Sequence, residues 1–334
     1  MTTPRPKRRT HRRNSARRAL FVLLTTLTLT APISTTALAS AAPRVVTIPL
    51  PASPTGMAVG LGSAWYTTVD GTVARIDVRT NTVTATIRVG EFPVRTAIGA
   101  GGVWVSNCGS NAVSRVDPSR NVVVATIHVG VCPFGIATLD GAVWVVNADD
   151  KVMRIDPNQN AVVATIPAKL EACSTPSCYT FRGLTVGSHR VWVSTVRSNV
   201  LRIDPSTNRV DKVIHLLPCC VEVGELAVGF ESLWATIPGG GLSNMVYRVD
   251  PRSGKVTHKI IADMADPFGV ATLNDRVWVA FGNGGDSVIA AIDPRSNHIT
   301  AKVPIGDFDA ALATGAGSVW GARFNTKTAV RITP

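Results

Sequence analysis

The sequence predicts an all-β protein built from seven copies of one four-stranded unit closed into a ring. Three observations carry that prediction. First, all seven tryptophans, Trp65, Trp104, Trp144, Trp192, Trp234, Trp278 and Trp320, recur at intervals of 39 to 48 residues. Each lies in a segment of the loose form Gly-x-Val-Trp-Val, as in Gly102-Val103-Trp104-Val105. Second, a text reading Arg-Ile-Asp-Pro, whole or in part, follows each Trp. Third, a text close to Val-x-Ala-Thr-Ile follows that one in most copies, as at Val123 to Ile127. A period of about 40 to 45 residues with only strand-like content describes a β-propeller with one four-stranded blade per repeat.

The chain opens differently. Its first 41 residues carry eight Lys or Arg and no acid, then an apolar run from Ala19 to Leu29, then Pro32 and the small-residue sites Ala37-Leu38-Ala39 and Ala39-Ser40-Ala41. That order reads as a secretory signal peptide over residues 1–41, with the mature protein starting between Ser40 and Pro43. The apolar run falls short of the roughly 20 residues that span a bilayer, and no later stretch is long enough either. Ser15 to Phe21 also resembles a twin-arginine export signal, leaving the export route open. Without the leader's eight basic residues the formal net charge is about +4 rather than +12. No basic run survives in residues 42–334, which excludes nucleic acid as a partner class.

Within the second copy, Thr96-Ala97-Ile98 is expected as the first strand, Val103 to Asn107 as the second, Ala112 to Val116 as the third and Val122 to Val129 as the fourth. β-Branched residues alternate within each piece and turn residues bound it. In the third-strand text the Asp carboxylate accepts bonds from turn amides, and Asn81, Asn121, Asn160, Asn208, Gly254 and Asn297 take the left-handed position. Those aspartates are therefore turn formers, and the tryptophans are inter-blade core. The last copy stops at Arg331-Ile332-Thr333-Pro334 without a fourth strand, whereas Arg44 to Leu50 carries fourth-strand text. The N-terminal stretch is expected to complete blade seven and remove an open edge.

With these three texts repeated across residues 44 to 334, the chain resembles the YVTN-type β-propeller repeat proteins of bacteria. It is also similar to the wider group that holds the streptogramin (virginiamycin B) lyases. The lyase resemblance implies a catalytic His and carboxylate with Mg²⁺ at the channel mouth, opening a cyclic ester by elimination. Here the residues before Gly in the first-strand text are Thr55, Phe134, Arg182 and Phe268, none of them His. The mature histidines, His128, His189, His215, His258 and His298, fall on outer strands or in turns. No nucleophile elbow, phosphate loop or metal-ligand spacing occurs, so no cofactor and no metal are called for.

The loops after second strands and after fourth strands emerge on one face of the ring. All six cysteines fall there: Cys108, Cys132, Cys173, Cys178, Cys219 and Cys220. In an exported chain they read as disulfides, Cys108 with Cys132 favoured because both border one blade. Nine residues before each Trp stand Gly56, Arg95, Gly135, Gly183, Glu225, Gly269 and Ala311. Two charges thus replace a small residue near the channel mouth, with Arg182, Asp309 and Arg323 at a similar level. A half-buried charge needs compensation: either these residues pair with each other or they hold a polar ligand. The reading favoured is an exported monomeric propeller, non-catalytic, that binds a small molecule or a protein or cell-wall partner on this face. The alternative is a lyase or hydrolase acting on a cyclic ester, lactone or glycan at the mouth.

Overall fold

The computed structural model describes residues 43–168, 181–195, 198–217, 222–238, 244–264, 266–282, 284–308 and 312–334. They form seven antiparallel sheets of four strands each, with the strands paired in chain order in six of them and the N-terminal strand at the edge of the seventh. Seven innermost strands, from Pro54–Gly60 in blade 1 through Pro93–Gly99 in blade 2 to Ala313–Gly315 in blade 7, neighbour one another around a central channel. Among the described residues there is no helix, and hence none long and apolar enough to cross a membrane.

Each position in a blade explains its text. The second strand, Gly102–Asn107 in blade 2, is buried along its whole length because neighbouring blades cover both its faces; a two-sided environment selects a continuous run rather than alternation. The tryptophans in these strands are at most 3% exposed. Four indole N–H groups donate to the carbonyl five residues back, Trp104 to Gly99 O at 3.0 Å for example. The outer strand, Val122–His128, faces solvent on one side, and the Ile of Val-x-Ala-Thr-Ile, Ile127 here, is its one buried side chain. Strand bounds in blade 2 fall within one residue of expectation except that the first strand starts at Pro93 rather than Thr96. A register shift between Pro93 and Arg95 breaks the pattern there.

The ring closes as expected. Arg44–Pro49 pairs antiparallel with Thr328–Thr333, setting Val46 opposite Arg331 and Ile48 opposite Ala329. Leu50 N donates to Lys327 O at 2.8 Å, and Ile48 and Leu50 are buried in a core shared with Tyr66 and Trp320. The aspartates are turn formers: Asp77 Oδ1 accepts Arg79 N at 2.7 Å, and Asp117 Oδ1 accepts Ser119 N at 2.8 Å and Ser119 Oγ at 2.6 Å. Asn81, Asn121, Asn160, Asn208 and Asn297 take φ between 50° and 59°, and Gly254 takes 75°.

The arginine of the third-strand text has a role that the sequence does not show. Arg115 lies over Trp104 of its own blade, its Cζ 5.1 Å from the ring centroid, and donates through Nη1 to Pro157 O at 2.6 Å and Asn160 Oδ1 at 2.9 Å of the next blade. Arg75, Arg154 and Arg248 repeat the clasp, and Arg331 closes it from blade 7 onto Asn81 of blade 1. Blade 6 carries Ala291 in place of Arg. The third and fourth strands of blade 7 come from opposite ends of the chain, so they are not joined by the turn that holds the arginine at the other seams.

Candidate functional site

The inner strands enter the channel at the face where second strands end. On that face a hydroxyl from each of several second strands fixes the next blade. Ser106 Oγ donates to Phe134 O at 2.8 Å, and Ser194 Oγ donates to Gly224 O at 2.6 Å. Cys108, just past the second strand of blade 2, is disulfide-bonded to Cys132, just before the inner strand of blade 3. A disulfide fits an oxidising, extracellular setting. Cys173, Cys178, Cys219 and Cys220 lie outside the described residues.

The described positions nine residues before a Trp fall at this mouth, Ala311 lying outside the described residues, and their glycines are explained by close approach. A Cβ on Gly56 would stand 2.0 Å from Val94 O, and one on Gly135 or Gly269 would stand 2.8 Å from a Leu Cβ of the next blade. The ladder's register shifts between Pro93 and Arg95, as it does before Gly56 in blade 1 and before Gly269 in blade 6. Arg95 reaches across the channel from blade 2, and its Nη2 lies 2.7 Å from Glu225 Oε1 of blade 5. Its Nη1 donates to Thr55 O at 3.0 Å and to Val94 O at 3.3 Å. The other carboxylate oxygen, Glu225 Oε2, lies 3.1 Å from where a Gly183 Cβ would stand. The side chains remain 24% and 27% exposed, so the pair is wet and its net worth is small. Below it the channel holds a cavity of about 280 Å³ whose wall includes Thr96, Thr185, Thr272 and Thr314.

Of the charges singled out in the sequence, the structure brings Arg95 and Glu225 together. Arg182 is the second residue of the inner strand Phe181–Gly187, Arg323 ends the second strand Ser318–Arg323 on the same face, and Asp309 lies outside the described residues. The five mature histidines are exposed, with His128, His215, His258 and His298 on outer strands and His189 in a hairpin on the opposite face. Among the described residues no three His, Cys, Asp or Glu side chains gather in a metal-holding group. The described residues at the mouth therefore do not fit the Mg²⁺ and His arrangement that the lyase resemblance implies.

No protein-family model matches the chain, and no curated protein matches it. Among solved structures it is similar to Kuenenia stuttgartiensis hydrazine synthase. That match has a TM-score of 0.72 at 18% identity and covers 85% of this chain and 96% of the other. At that identity the likeness shows a shared propeller fold and carries no activity across.

Proposed function

We propose that this is an exported, non-catalytic propeller that binds a small polar ligand at the mouth of its channel, on the face carrying the Cys108–Cys132 bond. The observation that supports the reading is the Arg95–Glu225 pair. Two opposite charges stand where sister blades keep Gly or Ala, they span the channel between non-adjacent blades, and they sit over a polar-walled cavity. A ligand bearing an acidic group and a hydrogen-bonding group would exchange the solvent-exposed ion pair for direct contacts to both residues. Charge-assisted hydrogen bonds of that kind are the stronger sort. The test is a small-molecule screen on exported protein, repeated with Arg95→Gly and Glu225→Gly. Ligands lost by both variants, with far-UV spectrum and melting behaviour kept, support the site. Ligands retained by both variants place binding elsewhere.

A further inference from the structure

A second site lies on the opposite face, at the seam between blades 4 and 5, and it follows from a break in the arginine clasp. At sister seams the arginine is held by an Asn in the next blade's turn, as Arg154 Nη1 is held by Asn208 Oδ1 at 3.0 Å. In blade 5 that turn position is Gly254, whose N–H donates to Asp250 O at 2.8 Å just as Asn121 N–H donates to Asp117 O in blade 2. It has no amide to offer. Arg202 keeps its bond to Pro251 O at 2.9 Å but turns its Nε and Nη2 to Asp211 on its own blade, at 2.8 and 3.1 Å. Beside it the seam opens into a pocket of about 800 Å³, with Trp192 at its wall.

The chemistry of that pocket selects among ligand classes. Three guanidinium groups, Arg190, Arg202 and Arg252, stand with four carboxylates. Asp211 is shared by Arg190 and Arg202, Asp204 lies 3.4 Å from Arg190, Asp250 is held by its own turn, and Glu231 is exposed on the pocket's wall. Asp250 and Glu231 line the pocket with the three guanidiniums, while Asp204 and Asp211 neutralise Arg190 and Arg202 from outside its wall, so the group presents no net positive charge to a bare anion. A hydroxyl both donates and accepts, so interleaved guanidinium donors and carboxylate acceptors suit a ligand carrying several hydroxyls. The volume lies within the roughly 300 to 1,000 Å³ of small-molecule sites. We infer that the seam between blades 4 and 5 binds a neutral saccharide, independently of the channel mouth.

The experiment is saturation-transfer NMR and calorimetry on the full chain with maltose, cellobiose, N,N′-diacetylchitobiose and inorganic phosphate. At least one disaccharide is expected to bind. Arg252→Ala, at an exposed position, should weaken it about tenfold or more, the scale of one or two lost hydrogen bonds. Gly254→Asn restores the side chain used by five sister turns, and the Cβ it adds stands 3.0 Å from Ile214 Cγ1 and 3.2 Å from Lys212 Cε, which must give by a few tenths of an ångström. It should close the pocket and abolish binding without lowering the melting temperature. Arg95→Gly should leave the affinity unchanged. Four results would overturn the assignment: no disaccharide bound, phosphate bound in its place, a disaccharide affinity that both Arg252→Ala and Gly254→Asn leave intact, or one that Arg95→Gly removes.

Discussion

Replacing Arg115 by Ala tests whether the arginine clasp holds the ring together. The side chain lies over Trp104 at 5.1 Å, a contact that contributes about 0.5 to 2 kcal/mol depending on solvation. Its guanidinium donates to Pro157 O, Asn160 Oδ1 and Gly101 O at 2.6, 2.9 and 3.0 Å. Hydrogen bonds from a charged donor contribute roughly 1.5 to 3 kcal/mol each when sheltered. Arg115 is part-exposed, so water takes over some of those bonds in the variant and the sum must be discounted. A net loss of about 2 to 4 kcal/mol follows, or a fall in melting temperature on the order of 3 to 7 °C for a domain of this size. Arg115→Lys keeps the charge but not the planar fork and should lose about half as much. Denaturant unfolding of both variants measures this, with the exposed Arg120→Ala as control. If Arg115→Ala unfolds at the same midpoint as Arg120→Ala, the clasp contributes nothing and the reasoning fails.

Deleting Arg44 to Leu50 should destabilise the ring by several kcal/mol. Ile48 and Leu50 alone each bury a side chain that contributes roughly 1.5 to 3 kcal/mol. An unchanged melting temperature after that truncation would contradict closure. Breaking Cys108–Cys132, which closes a loop of sequence separation 24, should cost about 3 to 4 kcal/mol in the chain-entropy model; non-reducing peptide mapping must find the two cysteines linked. The turn aspartates give a pH dependence. Bonds from the Arg79 amide hold the Asp77 carboxyl below its usual range, and bonds from Ser119, Ser206, Ser253 and the Arg295 amide do the same for Asp117, Asp204, Asp250 and Asp293. A carboxyl depressed in the folded state contributes stability that is complete above its unfolded pKa near 4 and is lost as pH falls below it. Melting temperature should therefore be flat from about pH 7 to 5 and drop below about pH 4, whereas a flat profile down to pH 2 would contradict the role given to these turns.

The ring was legible in the sequence because its determinants are local and repeated. Each Trp, each buried Ile and each turn Asp recurs at one fixed position of the four-strand text, so one copy explains the others. What stayed hidden acts between blades. Arg115 reads as one more residue of a strand, and its partners Pro157 and Asn160 stand 42 and 45 residues further on. Arg95 and Glu225 were visible as departures from the repeat, but their contact joins positions 130 residues apart across a channel. No periodicity encodes that approach. The Ala291 exception acquires a meaning only once the topology shows that blade 7 has no turn joining its third and fourth strands.

The most direct test of the mouth site is a double-mutant cycle on Arg95→Gly and Glu225→Gly, measured by denaturant unfolding. Both side chains are about a quarter exposed, and exposed ion pairs contribute roughly 0.2 to 1 kcal/mol. A pair held open for a ligand should give a coupling below about 1 kcal/mol, with each single variant folded and cooperative. A coupling well above about 1 kcal/mol, with both single variants strongly destabilised, would make the pair a structural strut and move the binding site elsewhere.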